Sequence, residues 1–147
     1  MGNDKIEIDP ESASIQTHLG IIQNVIQRMA TNSTNCKAWC VTLVAAVLVI
    51  VADKGNANYA WIALLPTIVF SALDAYYLAL EKGFRACYNQ FVSKLRQGSL
   101  SELDLYSVLP LGNMSSLQME AYKSFSVWGF YLSLAALTVV TKTVALG

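Results

Sequence analysis

The side chains able to do chemistry are few and dispersed. His18 is the single histidine among 147 residues. No carboxylate or cysteine lies within one helical turn of it, so it lacks both the acid that orients a general base and the company of a metal ligand. Helical periodicity puts it on the polar side of its segment, where it is expected to face solvent. Cys36 and Cys40 are one turn apart, but a structural zinc site takes four ligands and no second pair is spaced to complete one. With Cys87 the cysteines are odd in number, which argues against a disulfide framework. There is no phosphate-cradling glycine loop, no nucleophile beside a base and no paired carboxylates. The residue types therefore predict no catalytic residue, no metal and no cofactor, which is the pattern of a protein that is not an enzyme.

Two sets of charges need a reason. The runs Ala38 to Ala52 and Tyr59 to Leu73 are each 15 residues without a charge, and Lys37 opens the first as Asp74 closes the second. A tight antiparallel turn within Asp53–Asn58 brings opposite one another residues whose numbers sum to about 111, which sets Lys37 against Asp74. Either the two form an ion pair that fixes hairpin register, or Asp74 lines a polar pathway in an oligomer with Thr67 and Ser71 on the same face. Further on, Lys82, Arg85, Lys94 and Arg96 are juxtamembrane anchors for anionic lipid headgroups or, with the loop after Gly98, a pocket for an anionic signal.

The elements that must position these residues are helical. Apolar content is 54%, charged content 14% and mean hydropathy +0.43, the balance of a membrane protein, and the net charge of zero gives no electrostatic reason for a nucleic-acid partner. Residues 1–9 form an acidic tail unlike a signal peptide. Asp9-Pro10-Glu11 reads as a helix start. Apolar and small residues then recur in steps of four and three through Ile15, Leu19, Ile22, Ile26, Met29, Ser33, Cys36, Cys40, Leu43, Val47 and Ile50. One helix of about 43 residues, Pro10 to Ala52, would be about 65 Å long. Its first part, to residue 37, is an amphipathic stalk and its second part a membrane span. The seam is a packing surface for the chain's own second helix or for another copy. Thr31 to Asn35 is polar and marks a kink or a place of close helix contact.

The second helix completes a transmembrane hairpin over 38–80, with a kink expected at Pro66. It stays amphipathic through Phe84, Tyr88, Phe91 and Leu95 until Gly98. The spacings Ser99/Glu102 and Ser115/Gln118 read as capping boxes, giving a short helix from about Leu100 to Val108 and a third long helix from about Ser116. Residues 81–124 are thus cytoplasmic helix and connector, and 125–147 a third span. The fold class is all-α, an integral membrane protein of three long helices in a single domain. The 15-residue runs reach about 22 Å, short of an ordinary hydrocarbon core of about 30 Å, which also leaves room for a soluble bundle with a greasy core. Eight basic residues on inner segments against Lys54 and Lys142 outside put the N-terminus in the cytoplasm and the C-terminus in the periplasm.

Arg28-Met29-Ala30-Thr31-Asn32-Ser33, Cys36-Lys37-Ala38-Trp39, and the run from Val41-Thr42-Leu43-Val44 to Ala52-Asp53-Lys54 resemble a group of small bacterial inner-membrane proteins, over about residues 15 to 95. Similar proteins occur as membrane effectors of anti-phage defence systems. The resemblance implies a protein that oligomerises and disrupts the inner membrane when a partner detects infection, and it carries no catalytic or ligand motif to transfer. The expected partners are therefore the lipid bilayer and further copies of the chain in a homo-oligomer. The alternative is a constitutive anchor or subunit whose stalk holds a soluble cytoplasmic protein.

Overall fold

The computed structural model describes residues 12–145, all in helices and their connections; the acidic tail and the Asp9-Pro10-Glu11 start lie outside the described residues. Helix α1, Ala13–Lys54, runs unbroken for 42 residues. It passes through Thr31–Asn35 without interruption: the Thr34 hydroxyl donates to the Ala30 carbonyl at 3.1 Å, so the polar side chain is satisfied within the helix rather than competing with it. Gly55 ends the helix at φ 67°, with its N–H directed to the Val51 and Ala52 carbonyls. That left-handed cap is the conformation glycine adopts without a Cβ penalty.

The return begins as a 3₁₀ segment, Ala57–Ala63, and becomes α2, Leu64–Arg96, at the next residue. Pro66 therefore lies in the first turn of α2, where the missing N–H has no intrahelical partner to lose. The expected mid-helix kink is replaced by a change of helical geometry just before the proline.

The buried positions of α1 are Ile15, His18, Ile22, Met29, Ser33, Cys36, Cys40, Val44 and Val51. They follow about 3.6 residues per turn, whereas the expected seam ran at 3.5, a difference of roughly 20° per heptad. Apart from His18, buried in place of Leu19, the two coincide as far as Cys40 and then part: Leu43 and Ile50 are rotated outward, at 42% and 59% exposure, while Val44 and Val51 take their places at 2% and 4%. Leu19, Ile26 and Val47 are half-buried at the margin. The partner of this seam is α2, packed along α1 over its length.

After α2 the chain turns at Gly98 into the single-turn α3, Glu102–Leu105. Its capping box is Ser101 with Asp104, two residues beyond the expected pair. Helix α4, Met114–Tyr122, is capped by Asn113, whose Oδ1 accepts from Ser115 N–H at 2.9 Å. A turn at Lys123–Ser124 separates it from α5, Phe125–Val140, so the expected third helix is two, and a π-helical turn over Thr141–Ala145 follows.

Helix α2 is the central member, with α1 on one side and α4 and α5 on the other. Alanines make this possible. Ala63, Ala75 and Ala79 are fully buried in one core with Cys40, Val44, Ala121, Val127, Tyr131 and Leu134, and small side chains let helix backbones approach. Gly83 takes the approach to its limit, since its carbonyl accepts from Leu111 N–H at 3.0 Å and a Cβ there would lie 2.8 Å from Pro110 Cβ. Three helical segments, Ala13–Lys54, Ala57–Arg96 and Phe125–Val144, are long and apolar enough to cross a membrane. The connector must shift to admit any side chain at 83. Gly83→Ala is therefore expected to destabilise by about 1–3 kcal/mol, and limited proteolysis should cut the 98–113 connector of that variant earlier than in the parent.

Candidate functional site

Ser33 and Lys37 are one turn apart on α1 and both face α2, so the hairpin register delivers them to the same residue. Lys37 Nζ lies 2.5 Å from Asp74 Oδ2, and the Ser33 hydroxyl donates to the other carboxylate oxygen, Oδ1. Lys37 also reaches Ser33 Oγ at 3.4 Å. The Asp74 side chain is fully buried, while 20% of the Lys37 side chain remains accessible. Tyr131 of α5, itself buried, ties the third helix to α2 just above this level by donating to the Phe70 carbonyl at 3.2 Å. The same hairpin register continues down the stalk, where Gln23 Nε2 donates to Tyr88 Oη at 3.3 Å and His18 stacks on Phe91 at 4.6 Å.

This arrangement holds charge without offering it to a substrate. Both carboxylate oxygens are occupied, and neither Thr67 nor Ser71 joins them. Each turns back on its own helix, Thr67 to the Ala63 carbonyl at 3.0 Å and Ser71 to that of Ile68 at 2.8 Å. Within one copy the carboxylate is thus held in a closed ion pair. Cys36 and Cys40 are buried and free, Cys87 is half-buried and free, and no cluster of three or more potential metal ligands occurs among the described residues. The third-helix contact through Tyr131 was not anticipated from sequence, because a lone tyrosine in an uncharged run has no periodicity that marks it.

The basic residues do not converge on the loop after Gly98. Lys82 pairs with Glu120 of α4 at 3.4 Å, Lys94 with Asp104 of α3 at 2.7 Å and Arg85 with Glu81 at 2.7 Å. Arg96 makes no ion pair among the described residues. A cavity of about 140 Å³ does lie beside the loop, lined by Cys87, Phe91, Lys94, Asp104 and Leu109 among others, but its one cation is already neutralised. Lys82, Arg85 and Arg96 do not line it.

His18 corrects a second expectation. It is 4% exposed, and its Nε2 is buried without a hydrogen-bond partner. The signal was present in the sequence: 15, 18 and 22 are as good a helical stripe as 15, 19 and 22, since a three-residue and a four-residue step can come in either order.

Three outcomes are expected. Asp74→Asn leaves Lys37 charged against a neutral amide and should lower stability by about 3–5 kcal/mol, whereas Lys37→Leu with Asp74→Leu should recover most of it, as measured by thermal unfolding in detergent micelles. His18→Leu removes an orphaned polar atom and should be neutral or about 1 kcal/mol more stable by the same measurement. The Lys94 ammonium, aided by Ser101, holds the Asp104 carboxyl below the usual aspartate range. A carboxylate with a lowered value in the fold contributes stability above its ordinary range and loses it as pH falls through the lowered value. The α3 connector should accordingly loosen in that acid range, seen as faster proteolysis, and Asp104→Asn should remove the pH dependence.

No protein-family model, curated protein or solved structure matches this chain.

Proposed function

We propose that this chain is an integral protein of the bacterial inner membrane, non-enzymatic, with its stalk in the cytoplasm and its C-terminus in the periplasm, and that it works as a membrane anchor presenting the α1–α2 stalk to a soluble partner. One observation carries the reading. The large apolar side chains on the outside of the bundle form a band on all three spans: Trp39, Val49 and Ile50 on α1, Leu65 and Ile68 on α2, and Leu132 and Val140 on α5 are each at least half exposed. The acid at that depth, Asp74, is turned inward and paired. Water does not favour such a surface, and lipid does. Orientation rests on the excess of basic residues at the stalk side. The anchor role is supported by the seam of α1 being filled by α2, which leaves the hairpin complete within one copy.

A second reading is favoured by the height of the band. The charge-free run of α1, Ala38 to Ala52, has 15 residues, about 22 Å, against a hydrocarbon core of about 30 Å. Spans that short thin the bilayer or drive association, which suits an oligomeric membrane-disrupting effector such as those of anti-phage defence. Self-association would then use outward faces rather than the occupied seam.

Two measurements test these readings. A membrane-impermeant maleimide should label Asn56→Cys but not Gln97→Cys in spheroplasts carrying the cysteine-free background, and the reverse pattern would overturn the orientation. Membrane potential followed with a voltage-sensitive dye should stay unchanged on expression, alone or with neighbouring genes; its collapse would replace the anchor by the effector.

A further inference from the structure

The division of charge on the stalk points to a ligand. Lys82 and Lys94 are neutralised by Glu120 of α4 and Asp104 of α3. Arg85, Tyr88, Asn89, Val92, Ser93 and Arg96, at spacings of three and four residues, share one helical face that is turned away from Lys94 and bordered by Lys82. The acid paired there is Glu81, which holds Arg85 at 2.7 Å. Between residues 12 and 36, α1 brings no acid to this side and contributes Gln23 and Ile26. Two adjoining depressions follow the face, one of about 290 Å³ between Gln23, Ile26, Arg85, Tyr88 and Asn89, and one of about 480 Å³ running from Tyr88 to Arg96 and Gln97. Together they form a groove with a guanidinium at each end, amide and hydroxyl donors between, and no acid in its lining.

We propose that this groove binds an elongated phosphate-bearing anion, with one phosphate at Arg85 and another at Arg96. Guanidinium groups hold phosphate through paired N–H donors, and the amides of Gln23, Asn89 and Gln97 supply further donors to the bridge. The arginines are eleven residues apart, three turns or about 16 Å between backbones, so side chains reaching inward suit phosphates several ångströms apart rather than a single one. Phosphate could come from a lipid headgroup or from a soluble molecule. Counted from Leu80, where the hairpin span ends, Arg85 lies five residues along α2, about 8 Å, and Arg96 sixteen residues, about 24 Å, whereas the headgroup layer adds only about 5–8 Å to the hydrocarbon. A headgroup can serve the Arg85 end alone, and an anion that engages both arginines is soluble. That choice of source rests on the membrane reading above, while the groove itself does not.

The test uses the full chain in nanodiscs, first of neutral phosphatidylcholine and then with added phosphatidylglycerol, and isothermal titration with inorganic tripolyphosphate and short-chain polyphosphate. Binding is expected in neutral nanodiscs, weakened about tenfold by Arg85→Ala and by Arg96→Ala, and unchanged by Lys82→Ala. Glu81→Gln should tighten it by freeing Arg85. These residues are at the surface, so a circular dichroism spectrum equal to the parent's separates lost binding from lost fold. Absence of binding by either phosphate probe, or binding insensitive to Arg96→Ala, overturns the proposal. Binding that appears only as competition with phosphatidylglycerol and depends on Arg85 alone overturns it in favour of a headgroup anchor. Reconstitution into the nanodisc is scored separately, so failure to insert counts against the membrane reading and not against the groove.

Discussion

A carboxylate with no access to solvent must be neutralised where it stands, and the arrangement of this protein follows from that requirement at Asp74. Its two oxygens are met by Lys37 and Ser33, both from the other arm of the hairpin. Slipping the pairing by one turn would strand the acid in an apolar surround, so the interaction selects one register out of several that the alanine- and valine-rich faces would otherwise tolerate. Dispersion and apolar burial supply attraction along the helices but little discrimination between neighbouring registers. The polar triad supplies the discrimination.

Once α2 is fixed against α1, its remaining faces determine the rest. Toward the connector it shows alanines and Gly83, which admit Pro110 and the backbone of Leu111, and two lysines that meet the acids of α3 and α4. Away from the connector it shows Arg85, paired within the helix to Glu81, and Arg96, which makes no ion pair among the described residues. The chain has ten basic and ten acidic residues. The neutral total conceals a stalk whose two sides differ in charge, and the difference arises because the connector folds back on one side only.

The helical content, the two arms and the turn at Gly55 were legible because each depends on local or nearly local sequence: a charge-free run, a glycine in the left-handed region, a polar cluster between apolar segments. The opposition of Lys37 to Asp74 was legible as well, since a short turn between two uninterrupted helices leaves few registers. Less legible were the features set by small angular differences. A period of 3.5 and one of 3.6 cannot be told apart over three turns, but over ten they exchange Leu43 for Val44; the burial of His18 in place of Leu19 turns instead on the order of one three-residue and one four-residue step. Pro66 was misplaced in effect because its consequence depends on whether α-helix precedes it, and the 3₁₀ segment means that it does not.

By itself the sequence determined that this chain makes long apolar helices, where they reverse, and which two charges must meet, because propensity, capping and hydrophobic run length act through neighbours along the chain. Only the tertiary structure decided which cations are spent and which are free. Lys82, Arg85, Lys94 and Arg96 look alike along the sequence, and their partners at Glu120 and Asp104 are brought to them by a connector whose path depends on the close contact at Gly83. Ion pairing is a matter of distance in space, and that distance is set by the packing of all the helices together.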